Sequence, residues 1–148
     1  MSTISKERKR TVHEVAFRLA FDMQTQMSGK VGDFGVDLTP LKMRILRVVW
    51  SADDVTAQDV VQILKRDKAQ VARLVEDLTS QDLIRREVNP NDRRSKILRL
   101  TEGGEKIFRS VEAIESDFAN ELVKGINDSE LKTFFNVADQ ISENLKAL

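Results

Sequence analysis

Three cations directly behind a turn, Arg93, Arg94 and Lys96 after Asn89-Pro90-Asn91-Asp92, are the side chains best placed to do chemistry outside the fold. Proline suits the second position of a four-residue turn because its φ is already fixed, and Asn and Asp supply the flanking turn chemistry. Residues 96–100, Lys-Ile-Leu-Arg-Leu, are too few for a helix and rich enough in branched side chains for a strand. The expectation is a β-hairpin with cations at its tip. A polar, cationic tip gains nothing from folding, so something negative outside the protein is expected to meet it.

A second constellation lies just upstream. Val71, Leu74, Val75 and Leu78 form an i, i+3, i+4, i+7 apolar stripe. At 100° per residue the opposite face holds Ala69, Ala72, Arg73 and Glu76, with Lys68 and Gln70 toward its edges. A merely solvated face would more often carry long charged residues throughout. Two alanines for close approach, one Arg and one amide suit a major groove, where Arg pairs with guanine and Gln with adenine.

These side chains need elements to hold them. Thr39-Pro40 opens a helix, Thr as N-cap and Pro at the first helical position, running through Leu41, Ile45, Leu46, Val49 and Trp50. Ser51–Val55 is a short acidic connection. Thr56-Ala57-Gln58-Asp59 has the shape of a capping box, and the helix behind it buries Val60, Val61 and Leu64. Lys65-Arg66-Asp67 then joins that helix to the next, which Asp67 caps; two short helices so joined outline a helix-turn-helix.

Flanking helices complete the chain. Residues 5–27 place Val12, Val15, Ala16, Leu19, Met23 and Met27 at helical spacing, with Phe17 and Phe21 on a second face. Such a helix is usually buried between two bodies. Ser28–Leu38, with Gly29, Gly32 and Gly35, reads as a loop. After the hairpin, Thr101 caps a long helix carrying Ile107, Val111, Ile114, Phe118 and Leu122, and Gly125 stops it. Asn127 or Asp128 caps the last helix, where Leu131, Ala138 and Leu145 interleave with Phe134, Ile141 and Leu148 as an a/d seam. The first and last helices offer more apolar surface than one small core covers, so a homodimer is expected.

Composition narrows the function. Net charge is zero over 148 residues, yet residues 65–99 carry ten Lys or Arg against six acids, while residues 101–148 carry five against ten. The basic excess coincides with the hairpin and the helix before it. With no Cys, disulfides, thiolate metal sites and thiol-based sensing are excluded. No cofactor or metal site is implied. One His, no Cys and no Tyr leave few catalytic groups, and Thr101-Glu102-Gly103-Gly104 lacks the third glycine of a phosphate-binding turn, so no enzyme is expected. The first ten residues lack the apolar stretch of a signal peptide and no run approaches a membrane span, making a cytoplasmic location the default.

The order of elements resembles the multiple-antibiotic-resistance regulator (MarR) family of winged-helix transcription factors. The resemblance is carried by Leu38-Thr39-Pro40, by residues 67–75 (Asp-Lys-Ala-Gln-Val-Ala-Arg-Leu-Val), by Leu83-Ile84-Arg85-Arg86, by Asn91-Asp92-Arg93-Arg94 and by residues 98–104 (Leu-Arg-Leu-Thr-Glu-Gly-Gly). It implies a mainly α fold with a small β-hairpin: a winged helix-turn-helix lobe over residues 39–104, an N-terminal dimerisation helix and loop over 1–38, and C-terminal dimerisation helices over 105–148. Carried over by position, Arg94 enters a minor groove and Asp92 holds it in place, while Arg73 reads from the recognition helix. A narrow A·T-rich minor groove does attract an inserted guanidinium. Ala69 and Ala72 depart from the hydroxyl residues common there, and their methyls could meet thymine methyls instead. The family also implies a small aromatic or phenolic effector, for which His13, Phe17, Phe34, Arg44 and Trp50 are the candidate neighbours.

The expected function is therefore a sequence-specific dimeric DNA-binding transcriptional regulator, a repressor released by a small molecule. The DNA-binding set is Lys68, Ala69, Gln70, Ala72, Arg73, Asp92, Arg93, Arg94 and Lys96. The competing reading is a protein–protein interaction module on a winged-helix scaffold with reduced DNA readout, which Ala69, Ala72 and the zero net charge favour.

Overall fold

A computed structural model describes residues 11–148. The elements in order are α1 (Val12–Val31), a 3-10 turn (Gly32–Phe34), α2 (Pro40–Ser51), β1 (Val55–Thr56), α3 (Ala57–Leu64), α4 (Lys68–Ser80), β2 (Ile84–Val88), β3 (Lys96–Leu100), α5 (Glu102–Leu122) and α6 (Asp128–Lys146). The chain separates into two compact units, the first ending at Glu112 and the second running Ala113–Leu148. Among the described residues no helix is long and apolar enough to cross a membrane.

Local sequence sets the helix starts. Thr39 Oγ1 accepts the Lys42 N–H at 3.3 Å, with Pro40 in the first turn. Thr56 and Asp59 close a reciprocal capping box, and Asp67 Oδ2 accepts the Gln70 N–H at 3.1 Å. Asn127 with Glu130 repeats the box at α6. The turn between α3 and α4 is made by Lys65 in the left-handed region, φ 51°, whose N–H bonds the Val61 carbonyl.

The sheet has three antiparallel strands in the order β1-β3-β2, one more than the expected hairpin. Val55 pairs with Leu98 and Thr56 with Ile97, drawing the end of the acidic connection into the sheet. The hairpin register pairs Ile84 with Leu100 through Val88 with Lys96. Side chains alternate across the pleat, so Val55, Ile84 and Leu98 face inward while Arg85, Glu87 and Arg99 share the other face.

The core of the first unit joins Ile45, Leu46 and Val49 of α2, Val60 and Leu64 of α3, Val71, Val75 and Leu78 of α4, the inward strand residues, and Phe108 and Val111 of α5. The α4 stripe is buried as expected, apart from half-buried Leu74. Phe108, among the largest fully buried side chains, was hidden in the sequence by its neighbour Ile107, which fits the helical spacing equally well. Gly104 is what lets α5 pack: a Cβ there would stand 2.0 Å from the Leu83 carbonyl oxygen. Of the two adjacent glycines it is Gly104 that serves close approach of backbone to backbone, since a Cβ at Gly103 would meet nothing nearer than 3.7 Å.

Helix α1 differs from its sequence reading at the end. It continues to Val31, whose burial holds the last turn on the core, and a 3-10 turn follows before Gly35 at φ 70°. The expected start at residue 5 lies outside the described residues. Residues 11–22 are all exposed, and Phe17 and Phe21 stack with ring centroids 6.3 Å apart. In the second unit, α6 buries no residue: Leu131, Ala138 and Ile141 are half-buried, while Phe134, Phe135 and Leu145 stand in solvent.

Candidate nucleic-acid interface

The candidate interface lies on the first unit, on α4 and the loop between β2 and β3. On α4, Lys68, Ala69, Ala72, Arg73 and Glu76 are exposed and Gln70 is half-buried, so the face opposite the buried stripe is open as its spacing predicted. At the N-terminal end of α4 the Asp67 carboxylate already meets the helix dipole by accepting the Gln70 N–H.

Two neighbouring acids hold α4 laterally. Glu76 Oε2 accepts a hydrogen bond from Arg86 of β2 at 3.0 Å. Asp77 Oδ2 lies 3.7 Å from Lys42 Nζ of α2. Neither tie is apparent from spacing, because each partner comes from a different element.

The seven-residue loop Asn89–Ser95 is shaped by its own side chains. Asn89 Oδ1 accepts the Asn91 N–H at 3.0 Å, and Asn89 Nδ2 donates to Ser95 Oγ at 3.1 Å across the loop base. Asp92 Oδ1 accepts the Arg94 N–H at 3.0 Å, and the Asp92 carbonyl accepts the Ser95 N–H at 3.2 Å. Asp92 therefore holds Arg94 by its main chain. Arg93, Arg94 and Lys96 all point their charge into solvent at this tip.

The strands behind the tip are braced by charge. Arg85 and Arg99 are register partners, and Glu87 accepts from both, with Arg99 Nε at 3.1 Å. Arg99 also donates to Asp54 Oδ1 at 2.5 Å and to the Asp53 carbonyl. The hydrogen bonds from Arg85 and then Arg99 hold the Glu87 carboxyl below its ordinary pKa of 4.5. Asp54, with Glu87, raises that of Arg99.

The candidate effector residues are spread out. His13 and Phe17 are exposed on α1, Phe34 is half-buried against the core, and Arg44 is exposed on α2. Trp50 packs on Phe108 with centroids 5.5 Å apart and carries the Arg109 guanidinium 4.9 Å over its ring. It also lines a pocket of about 270 Å³ with Val49, Ala52, Asp53, Arg85, Arg99, Leu100 and Glu105. Of the five candidates, Trp50 is the member in that pocket.

Comparison with known proteins bears on this scaffold. The sequence model of the MarR family matches residues 36–95, from the end of the α1–α2 connection to the wing tip. The chain is 23% identical over 104 residues to the HTH-type transcriptional regulator YdgJ of Bacillus subtilis strain 168, covering 70% of this chain and 63% of YdgJ. It is 26% identical over 99 residues to the multiple antibiotic resistance protein MarR of Escherichia coli K12, covering 66% of this chain and 69% of that protein. Among solved structures, MepR of S. aureus in a DNA complex superposes with a TM-score of 0.82 at 22% identity, over 93% of this chain and 99% of MepR. These structural likenesses establish a winged-helix fold.

Proposed function

We propose that this chain, whose residues 36–95 match the sequence model of the MarR family, is a sequence-specific DNA-binding transcriptional regulator that acts as a homodimer. The observation that carries the reading is the pairing, on one unit, of an open α4 face with a cationic loop held in shape by its own side chains. The α4 face, with Ala69, Ala72 and Arg73, enters a major groove, Gln70 and Lys68 flank it, and Arg94 enters the adjacent minor groove. Arg93 and Lys96 bind phosphates and supply sequence-independent affinity. The similarity to MepR, whose solved structure is a complex with DNA, supports the same reading.

Dimer formation is supported by the apolar side chains that α1 and α6 leave in solvent, Phe17, Phe21, Phe134 and Phe135 foremost. The biological role follows the family resemblance: repression of transcription, relieved by a small aromatic or phenolic effector, in the cytoplasm.

Selection of bound duplexes from a random pool, with the purified full-length chain, tests the proposal. A near-palindrome with half-sites about one helical turn apart is the expected product. Recovery of no motif would overturn it and leave a protein-interaction role for the same scaffold.

A further inference from the structure

We infer that Lys42 is a positioning residue for the recognition helix, fixing its rotation against the α1–α2 connection; the inference rests on the duplex-reading function proposed above. Lys42 sits on α2 at 4% exposure, the one charged side chain in the buried set among the described residues. An ammonium removed from water is costly unless it is both neutralised and hydrogen-bonded. Its Nζ donates to Asp37 Oδ2 at 3.1 Å and to the Asp37 carbonyl at 3.3 Å, and Asp77 Oδ2 stands 3.7 Å away. Asp37 belongs to the connection and Asp77 to α4. Asp37 supplies both hydrogen bonds and one carboxylate, and the second ion pair, to Asp77, is complete only when connection, α2 and α4 are in register.

Neutral groups repeat the tie. The Asp37 N–H donates to Gln81 Oε1 at 2.8 Å, and Gln81 Nε2 donates back to the Asp37 carbonyl at 3.2 Å. Gln81 is the C-cap of α4, so the connection holds the end of the helix directly at Gln81 and, through Lys42, at Asp77. Asp77 follows Arg73 by four residues, which leaves the two about 40° apart around the axis. Any rotation that re-aims Arg73 therefore pulls Asp77 from Lys42. On the other side the Glu76–Arg86 pair opposes the same rotation. Apolar packing alone tolerates small slides of a helix; the ion pair from Asp77 to the buried ammonium weakens as the helix moves away.

The test uses the full-length chain as wild type, Asp77→Asn, Lys42→Met and the double variant, on the selected duplex and on a shuffled duplex of equal composition. Asp77 is half-exposed, so its variant is a safeguard against loss of folding in Lys42→Met. Asp77→Asn is expected to lower the preference for the selected duplex at least about fivefold, the scale of a coupling between sites. Affinity for the shuffled duplex stays as in wild type. The double variant is expected to be no worse than Lys42→Met alone, as for two residues acting through one contact. Preferences at the wild-type level in both single variants would overturn the inference. Amide hydrogen exchange of the free protein gives a second readout: Asp77→Asn should quicken exchange in residues 36–41 together with residues 76–81. Unchanged exchange in residues 36–41 would also overturn it. If the wild type prefers no duplex at all, the DNA-reading proposal fails, and the exchange measurement still decides whether Lys42 couples the two segments.

Discussion

Arg85 and Arg99 face each other directly across the β2–β3 ladder, and Glu87 accepts hydrogen bonds from both. Like charges in register would push the strands apart. The shared carboxylate, with Asp54 on the far side of Arg99, turns the repulsion into a brace between the hairpin and the α2–α3 connection.

That brace is sensitive to acid. Because the folded-state pKa of Glu87 is depressed below 4.5, its contribution is present above that value. It is lost as pH falls through the lower folded value. Melting temperatures of Glu87→Gln recorded from pH 3 to pH 7 should show a flatter acid limb than wild type. Identical acid limbs would show that the brace contributes nothing.

The two arginines proposed to read the duplex should fail differently. Arg73→Ala should change which bases are preferred, at about 1–3 kcal/mol at its contacted position. Arg94→Ala should weaken many sites alike. Asp92→Ala removes the acceptor for the Arg94 N–H and should resemble Arg94→Ala, the two being less than additive. Binding curves on the selected duplex and its single-base variants separate these patterns. Wild-type behaviour in both arginine variants would remove this assignment of the interface.

Gly104 and Gly103 form an internal control. A methyl at Gly104 collides with the Leu83 main chain, whereas at Gly103 the nearest atoms are 3.7 Å away. Gly104→Ala should cost about 2 kcal/mol or more. Gly103→Ala should be neutral or stabilise by up to about 1 kcal/mol, as expected for replacing a helical glycine. Urea unfolding measures both, and equal midpoints would contradict the close approach.

Phe108→Ala should open a cavity and cost about 3–5 kcal/mol. It also strips the aromatic partner from Trp50, the sole tryptophan of the chain. Trp50 emission should shift to the red in the folded variant at low denaturant. An unmoved spectrum would mean that the ring contact does not shape the Trp50 environment.

If the exposed apolar faces are subunit contacts, a charge there should dissociate the pair. Phe134→Glu should sediment as a monomer at concentrations where wild type is dimeric, and its melting temperature should no longer rise with protein concentration. A wild type that is monomeric throughout would refute the dimer.

What could be read in advance was local. Thr39, Thr56 and Asp67 cap their helices as expected, and Asn127 takes the α6 cap that the sequence left open between it and Asp128, because a cap needs only its own next three residues. The apolar stripe of α4 was equally legible, since helical periodicity decides which side meets the core. Strand β1 was not, because two residues become a strand only through partners some forty positions onward. The burial of Lys42 depends on Asp37 and Asp77, which approach it only after α2 and α4 have packed. Asp92 was singled out, but turn geometry, not residue type, decides that its carboxylate meets the Arg94 amide.

The hydrogen bonds within Asn89–Ser95 have a kinetic corollary. A tip immobilised during folding has little freedom left to surrender on contact, so encounter need not wait for a floppy segment to find its shape. Association should then follow long-range attraction between opposite charges, fast in dilute buffer and slowing with added ions. Asn89→Ala, which frees the tip without altering its charge, should slow capture even where ionic strength is held constant.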